Sequence, residues 1–98
     1  MAWMYILECG DESYYVGSTV DLNARFLQHE QGSGGRYTSA RLPVKLVYAE
    51  EYDRISDAYR REKQVQNWSR AKREALITGQ EDLLPALAKK KFRKLPGP

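Results

Sequence analysis

With 98 residues, 42% of them hydrophobic, the chain has apolar material for one modest core and too little for two domains. Its single cysteine, Cys9, excludes an intrachain disulfide. The start, Met1 to Leu7, has no basic lead before its apolar run breaks at Glu8, and no stretch reaches membrane-span length, so the expected setting is the reducing cytoplasm, away from any membrane.

Residues 3–8 and 13–17 are rich in Trp, Tyr, Ile and Val, and turn residues separate them in Cys9-Gly10-Asp11-Glu12. They predict two strands joined as a hairpin. Such a hairpin can bring Tyr5 and Tyr15 together across adjacent strands. Thr19 and Asp21 then open a helix, one as a hydroxyl cap and the other as an acid in the first turn. Leu22, Arg25, Phe26 and His29 follow at helical spacing. Gly32-Ser33-Gly34-Gly35 ends that helix in a flexible loop. Val44 to Tyr52, entered after Pro43, predicts a third strand. Ser56 and Ser69 cap two more helices, running to about Trp68 and Gly79. Residues 83–87 predict a short helical turn. From Lys89 the chain is basic and closes on Leu95-Pro96-Gly97-Pro98, the composition of a disordered tail.

The element order is therefore β-β-α-β-α-α. It implies an α/β chain of the α+β type, a small three-stranded antiparallel sheet flanked by helices. Residues 1–80 form the domain, and residues 81–98 add the helical turn and basic tail. The net charge of +3 is concentrated in that tail: Lys89, Lys90, Lys91, Arg93 and Lys94 supply +5, and the remainder carries about −2.

Glu62 shares a helix face with Ile55, Ala58, Tyr59 and Val65, so its carboxylate points with an apolar stripe. A buried carboxylate needs a partner. A bound cation would serve, and so would a salt bridge to Arg25, Arg60 or Arg61. Arg25 and His29 stand four apart on one face. The Arg fork suits phosphate oxygens and the imidazole can exchange a proton near neutrality, although for the pair in isolation a solvated helix face is the simpler explanation. Tyr5 and Tyr15 read either as core aromatics or as phenols left accessible by Gly17. Arg36, Tyr37 and Thr38 follow the Gly-rich loop, which can present them to a ligand. Lys89, Lys90 and Lys91 can touch a phosphate backbone or simply keep the tail solvated.

In order and spacing these residues resemble the GIY-YIG nuclease superfamily, in particular its small stand-alone bacterial members. Tyr5, within Trp3-Met4-Tyr5-Ile6-Leu7, matches the Tyr of the first motif, with Trp3 and Met4 in place of its Gly and Ile. Tyr15-Val16-Gly17 matches the second motif. Arg25 matches the helix Arg, His29 a position where the family carries His or Tyr, and Glu62 the metal-binding Glu. The likeness spans roughly residues 2–80 and implies a metal-dependent DNA endonuclease of low sequence specificity, selective for strand or branch structure, in repair or recombination. Catalytic roles then fall to Tyr5, Tyr15, Arg25 and His29, and Glu62 holds one divalent cation, Mg²⁺ or Mn²⁺. Ser18 and Thr19 stand where several members carry a Lys. That departure and the basic tail motivate a second reading, a nucleic-acid-binding module with a weak or inactive site.

Overall fold

The alternation of β1 (Ala2–Glu8) determines the layout of the protein. Ala2, Met4 and Ile6 pack into one apolar cluster, while Trp3, Tyr5 and Leu7 pack into another. A strand buried on both faces belongs in the middle of a sheet. In the computed structural model, which describes residues 1–79, β1 is the central strand. β2 (Tyr14–Thr19) and β3 (Lys45–Tyr52) flank it, both antiparallel, in the order β2-β1-β3. The β1–β2 register sets Tyr5 opposite Gly17 and Leu7 opposite Tyr15. The expected helical turn at residues 83–87 and Lys89, Lys90 and Lys91 lie outside the described residues.

Helices cover both faces of the sheet, as the α+β order predicts. α1 (Leu22–Glu30) lays Leu22 and Phe26 against the cluster of Tyr5, Leu7 and Ala49. Its cap is Asp21, whose carboxylate accepts from the Ala24 amide at 3.1 Å. Thr19 ends β2 and accepts from the Asp21 amide. The stretch after the Gly-rich loop, for which no element is predicted, is a short helix, α2 (Arg36–Ser39). On the other face, α3 (Ile55–Gln66) and α4 (Arg70–Ile77) bring Ala58, Val65 and Leu76 onto Met4, Ile6 and Val16. Full burial of Met4, Ile6 or Leu76 contributes about 1.5–3 kcal/mol each. Ser69 caps α4 as expected, accepting from the Lys72 amide. Ser56 does not cap α3. The carbonyl of Arg54 already accepts from the amides of Asp57 and Ala58, which starts the helix two residues earlier than predicted.

The buried face of α3 also differs from the predicted stripe. It comprises Ala58, Arg61, Glu62 and Val65, while Ile55 and Tyr59 are exposed. An arginine can sit there because Glu50 of β3 faces it, fully buried. Arg61 Nε and Nη2 donate to the two Glu50 oxygens at 2.9 and 3.1 Å, and the Tyr48 and Tyr52 phenols donate to the same carboxylate at 2.8 and 2.7 Å. Burial and the Glu50 carboxylate push both phenols up in pKa, so they remain donors. Four donors on one carboxylate satisfy it fully, as a buried charge requires. The pair also fixes the rotation of α3 about its axis and so aims the next residue, Glu62, at β2.

Candidate active site

Gly17 lies on edge strand β2 with functional side chains on both sides of it. On the α1 side the Tyr5 phenol passes over it: a Cβ at position 17 would meet Tyr5 Oη at 2.5 Å and Cζ at 2.6 Å. The absence of a side chain there lets the phenol lie across the strand. Tyr5 is 1% exposed, and its hydroxyl is 2.8 Å from His29 Nε2. His29, fully buried, is 2.8 Å from Thr38 Oγ1 through Nδ1. Gly34 presses on the same imidazole, since a Cβ there would collide with Nδ1 and Cγ. Burial and the Arg25 cation depress the His29 pKa to about 4, so the ring is neutral at physiological pH. Burial pushes the Tyr5 phenol up to about 12; Arg25 offsets part of this, and the charges of Tyr15 and Glu62 add to it.

Tyr15 lies beside these two groups and is only half-buried. Its ring centroid is 6.3 Å from Tyr5, 5.2 Å from His29 and 6.0 Å from Tyr37. The hairpin thus brings the two tyrosines together, although their partners across the ladder are Gly17 and Leu7. Arg25 is held by Gln28 Oε1 and by the Gly34 carbonyl, each at 2.9 Å. The bond to Gly34 fastens α1 to the Gly-rich loop, and the two together hold the guanidinium near Tyr5.

Glu62 approaches the same strand from the α3 side. Ser18 Oγ donates to Oε1 at 2.6 Å, Gln66 Nε2 donates to Oε2 at 2.9 Å, and Lys63 Nζ is 3.4 Å away. The three arginines offered as salt-bridge partners go elsewhere: Arg60 to Asp57, Arg61 to Glu50, and Arg25 to Gln28. Ser18 and Gln66 were not anticipated as supports. Gln66 is recognisable in hindsight, four residues beyond Glu62 on the same helix. Gln66 also donates to the Val16 carbonyl, tying α3 to β2 at the site.

The remaining candidates separate. Arg36 and Tyr37 are exposed, with Tyr37 beside Tyr15 and the Arg41 guanidinium 3.9 Å above the Tyr37 ring. Thr38 points inward, 1% exposed, at His29 and not at any ligand.

Among the described residues no three His, Cys, Asp or Glu side chains gather to cage a metal. The donors present are one carboxylate and an adjacent hydroxyl. That set fits a hard divalent cation that keeps most of its waters and takes further oxygens from a phosphate. Among the described residues no helix is long and apolar enough to cross a membrane.

Comparison with known proteins gives a consistent result. A UPF0213 protein from Halobacterium salinarum is 43% identical over 77 residues, covering 79% of this chain and 100% of its own length. A UPF0213 protein from Streptococcus pneumoniae is 41% identical over 81 residues, covering 83% of this chain and 82% of its own. The solution NMR structure of a UPF0213 protein from Bacillus halodurans superposes with a TM-score of 0.53 at 38% identity, over 82% of this chain and 86% of that one. The family model for the GIY-YIG catalytic domain matches residues 1–75, a span that takes in all three strands and every side chain placed around Gly17. The chain belongs to the GIY-YIG family of nuclease domains.

Proposed function

We propose that the protein is a metal-dependent endonuclease that hydrolyses phosphodiester bonds in DNA with little sequence preference, selective for strand or branch structure, in the cytoplasm and in repair or recombination. The observation that carries this reading is the meeting of unlike groups around Gly17. The Tyr5–His29 pair, Tyr15 and Arg25 lie on one side of β2, and the Glu62 carboxylate lies on the other. Low sequence preference follows from the contacts available. Arg25 and Arg36 suit phosphate oxygens, which carry no base identity.

In this reading Arg25 binds the scissile phosphate and stabilises the charge that builds on its oxygens. Tyr15, the half-buried phenol, holds the attacking water. Tyr5 is too buried to meet solvent and orients the cluster from beneath. Glu62 holds the divalent cation, Mg²⁺ or Mn²⁺, with Ser18 and Gln66 steadying its oxygens. When bound, that ion supplies Lewis-acid stabilisation of the phosphate and the leaving oxygen. Arg36 and Tyr37 extend the surface along which the strand lies.

One observation favours the second reading, a binding module with a weak or inactive site. Both Glu62 oxygens already have protein donors, Ser18 and Gln66, in addition to nearby Lys63. Cleavage of labelled single-stranded, flapped and four-way-junction DNA separates the two. Cleavage with Mg²⁺ or Mn²⁺ that Glu62→Ala abolishes supports the nuclease. Salt-sensitive binding without cleavage by either protein supports the module. Equal cleavage by both proteins removes Glu62 from the site.

A further inference from the structure

Thr38 is buried and polar, and its hydroxyl lies 2.8 Å from His29 Nδ1. A neutral imidazole has one N–H and one bare nitrogen. Here each nitrogen faces a hydroxyl, Tyr5 at Nε2 and Thr38 at Nδ1, so two consistent arrangements exist. Chemistry selects between them. A phenol is a stronger acid than an alkyl alcohol and therefore the better donor, and the alcohol oxygen is the better acceptor. Tyr5 then donates to Nε2, and Nδ1–H donates to Thr38. The Arg25 cation near Tyr5 favours the same choice, because the phenol proton turns away from the guanidinium and the lone pairs turn toward it. The opposite arrangement would aim a phenol proton at a positive charge. Gly34 and Tyr15 pack against the ring and restrict its rotation.

We propose that Thr38 is a positioning residue that holds His29 in its Nδ1–H tautomer, so that Nε2 accepts the Tyr5 hydrogen bond and the Tyr5 lone pairs face Arg25. The role in cleavage rests on the nuclease reading; the tautomer does not. Thr38 never touches the reacting atoms and acts through His29 and Tyr5.

His29 is the chain's one histidine, so its ring nitrogens give a single pattern in a long-range ¹H–¹⁵N correlation spectrum of the labelled full chain. At neutral pH the expected pattern is a protonated Nδ1 and a bare Nε2. Thr38→Val removes the acceptor and shifts the pattern toward the other tautomer, and Thr38→Ser retains the original. Thr38→Ala substitutes if the valine variant does not fold. A wild-type ring protonated at Nε2 overturns the proposal, as does a hydroxyl-free variant that keeps the wild-type pattern. In DNA cleavage, Thr38→Val should lower kcat by about tenfold to a hundredfold with KM unchanged, and Thr38→Ser should restore it. Wild-type protein that cleaves nothing overturns the nuclease reading alone, because the spectrum decides the tautomer independently.

Discussion

Replacing Gly17 with alanine tests whether the Tyr5 ring crosses β2 as described. Gly17 is not among the glycines with positive φ, so an alanine meets no backbone obstacle there. The obstacle is the phenol. The new Cβ would stand 2.5 Å from Tyr5 Oη, whereas ordinary contact begins near 3.4 Å, so the ring must retreat by about 0.9 Å. Tyr15 Cε2, at 3.0 Å from the same point, limits sideways escape. Overpacking of this kind costs about 1–3 kcal/mol. Loss of unfolded-state freedom gives back about 0.4–1 kcal/mol. The net destabilisation therefore lies between about 0 and about 2.6 kcal/mol, centred on about 1.3 kcal/mol, and each kcal/mol lowers Tm by about 4–8 °C in a domain of this size. The Tyr5–His29 contact of 2.8 Å cannot survive such a displacement unchanged. A misplacement near 1 Å costs about a hundredfold in rate. Calorimetry and cleavage kinetics on the purified variant read both effects. A Gly17→Ala protein with wild-type Tm and wild-type cleavage would show that the ring does not lie across the strand.

Two other perturbations probe the supports of the site. Arg61→Met strands the Glu50 carboxylate in the core and should cost about 3–5 kcal/mol in urea denaturation, whereas Arg60→Ala, at an exposed pair with Asp57, should change little. Equal midpoints for the two variants would refute the buried network. His29, depressed from 6.5 to about 4, is protonated more readily in the unfolded chain. Its contribution is complete above pH 6.5, shrinks as pH falls, and is gone below about 4. The urea midpoint of the wild type should thus fall more steeply across that window than that of His29→Gln. Parallel slopes would show that the imidazole is not held neutral.

The strands, their hairpin and three of the helices were legible because local signals and packing agree there. β1 is apolar at every interior position, and Ser69 is a cap in sequence and in structure alike. Thr19 and Ser56 look equally good as caps, but backbone pairing decided both positions before a side chain could. The α3 stripe misled because Ile55 and Tyr59 carry more hydrophobicity than Arg61, and only the long-range partner Glu50 makes an arginine the better residue to bury. Spacing and resemblance singled out Tyr5, Tyr15, Arg25, His29 and Glu62, and the structure places Tyr5, Tyr15 and His29 in one cluster and Glu62 on Ser18 of the same strand. Thr38 was recognised for the wrong surface: its bond to His29 depends on how the Gly-rich loop folds back, and no local pattern encodes that path.

The two halves of the site rest on different foundations. The phenol–imidazole half is rooted in the apolar cluster beneath α1, and the carboxylate half in the cluster beneath α3 and α4. β2 carries both, through Gly17 on one face and Ser18 on the other. Substitutions that soften one cluster should therefore loosen one half of the chemistry and spare the other. If the proposed nuclease function holds, divergence within such a fold can retune affinity for a cation and reactivity toward a phosphate as separate traits, provided position 17 remains a glycine.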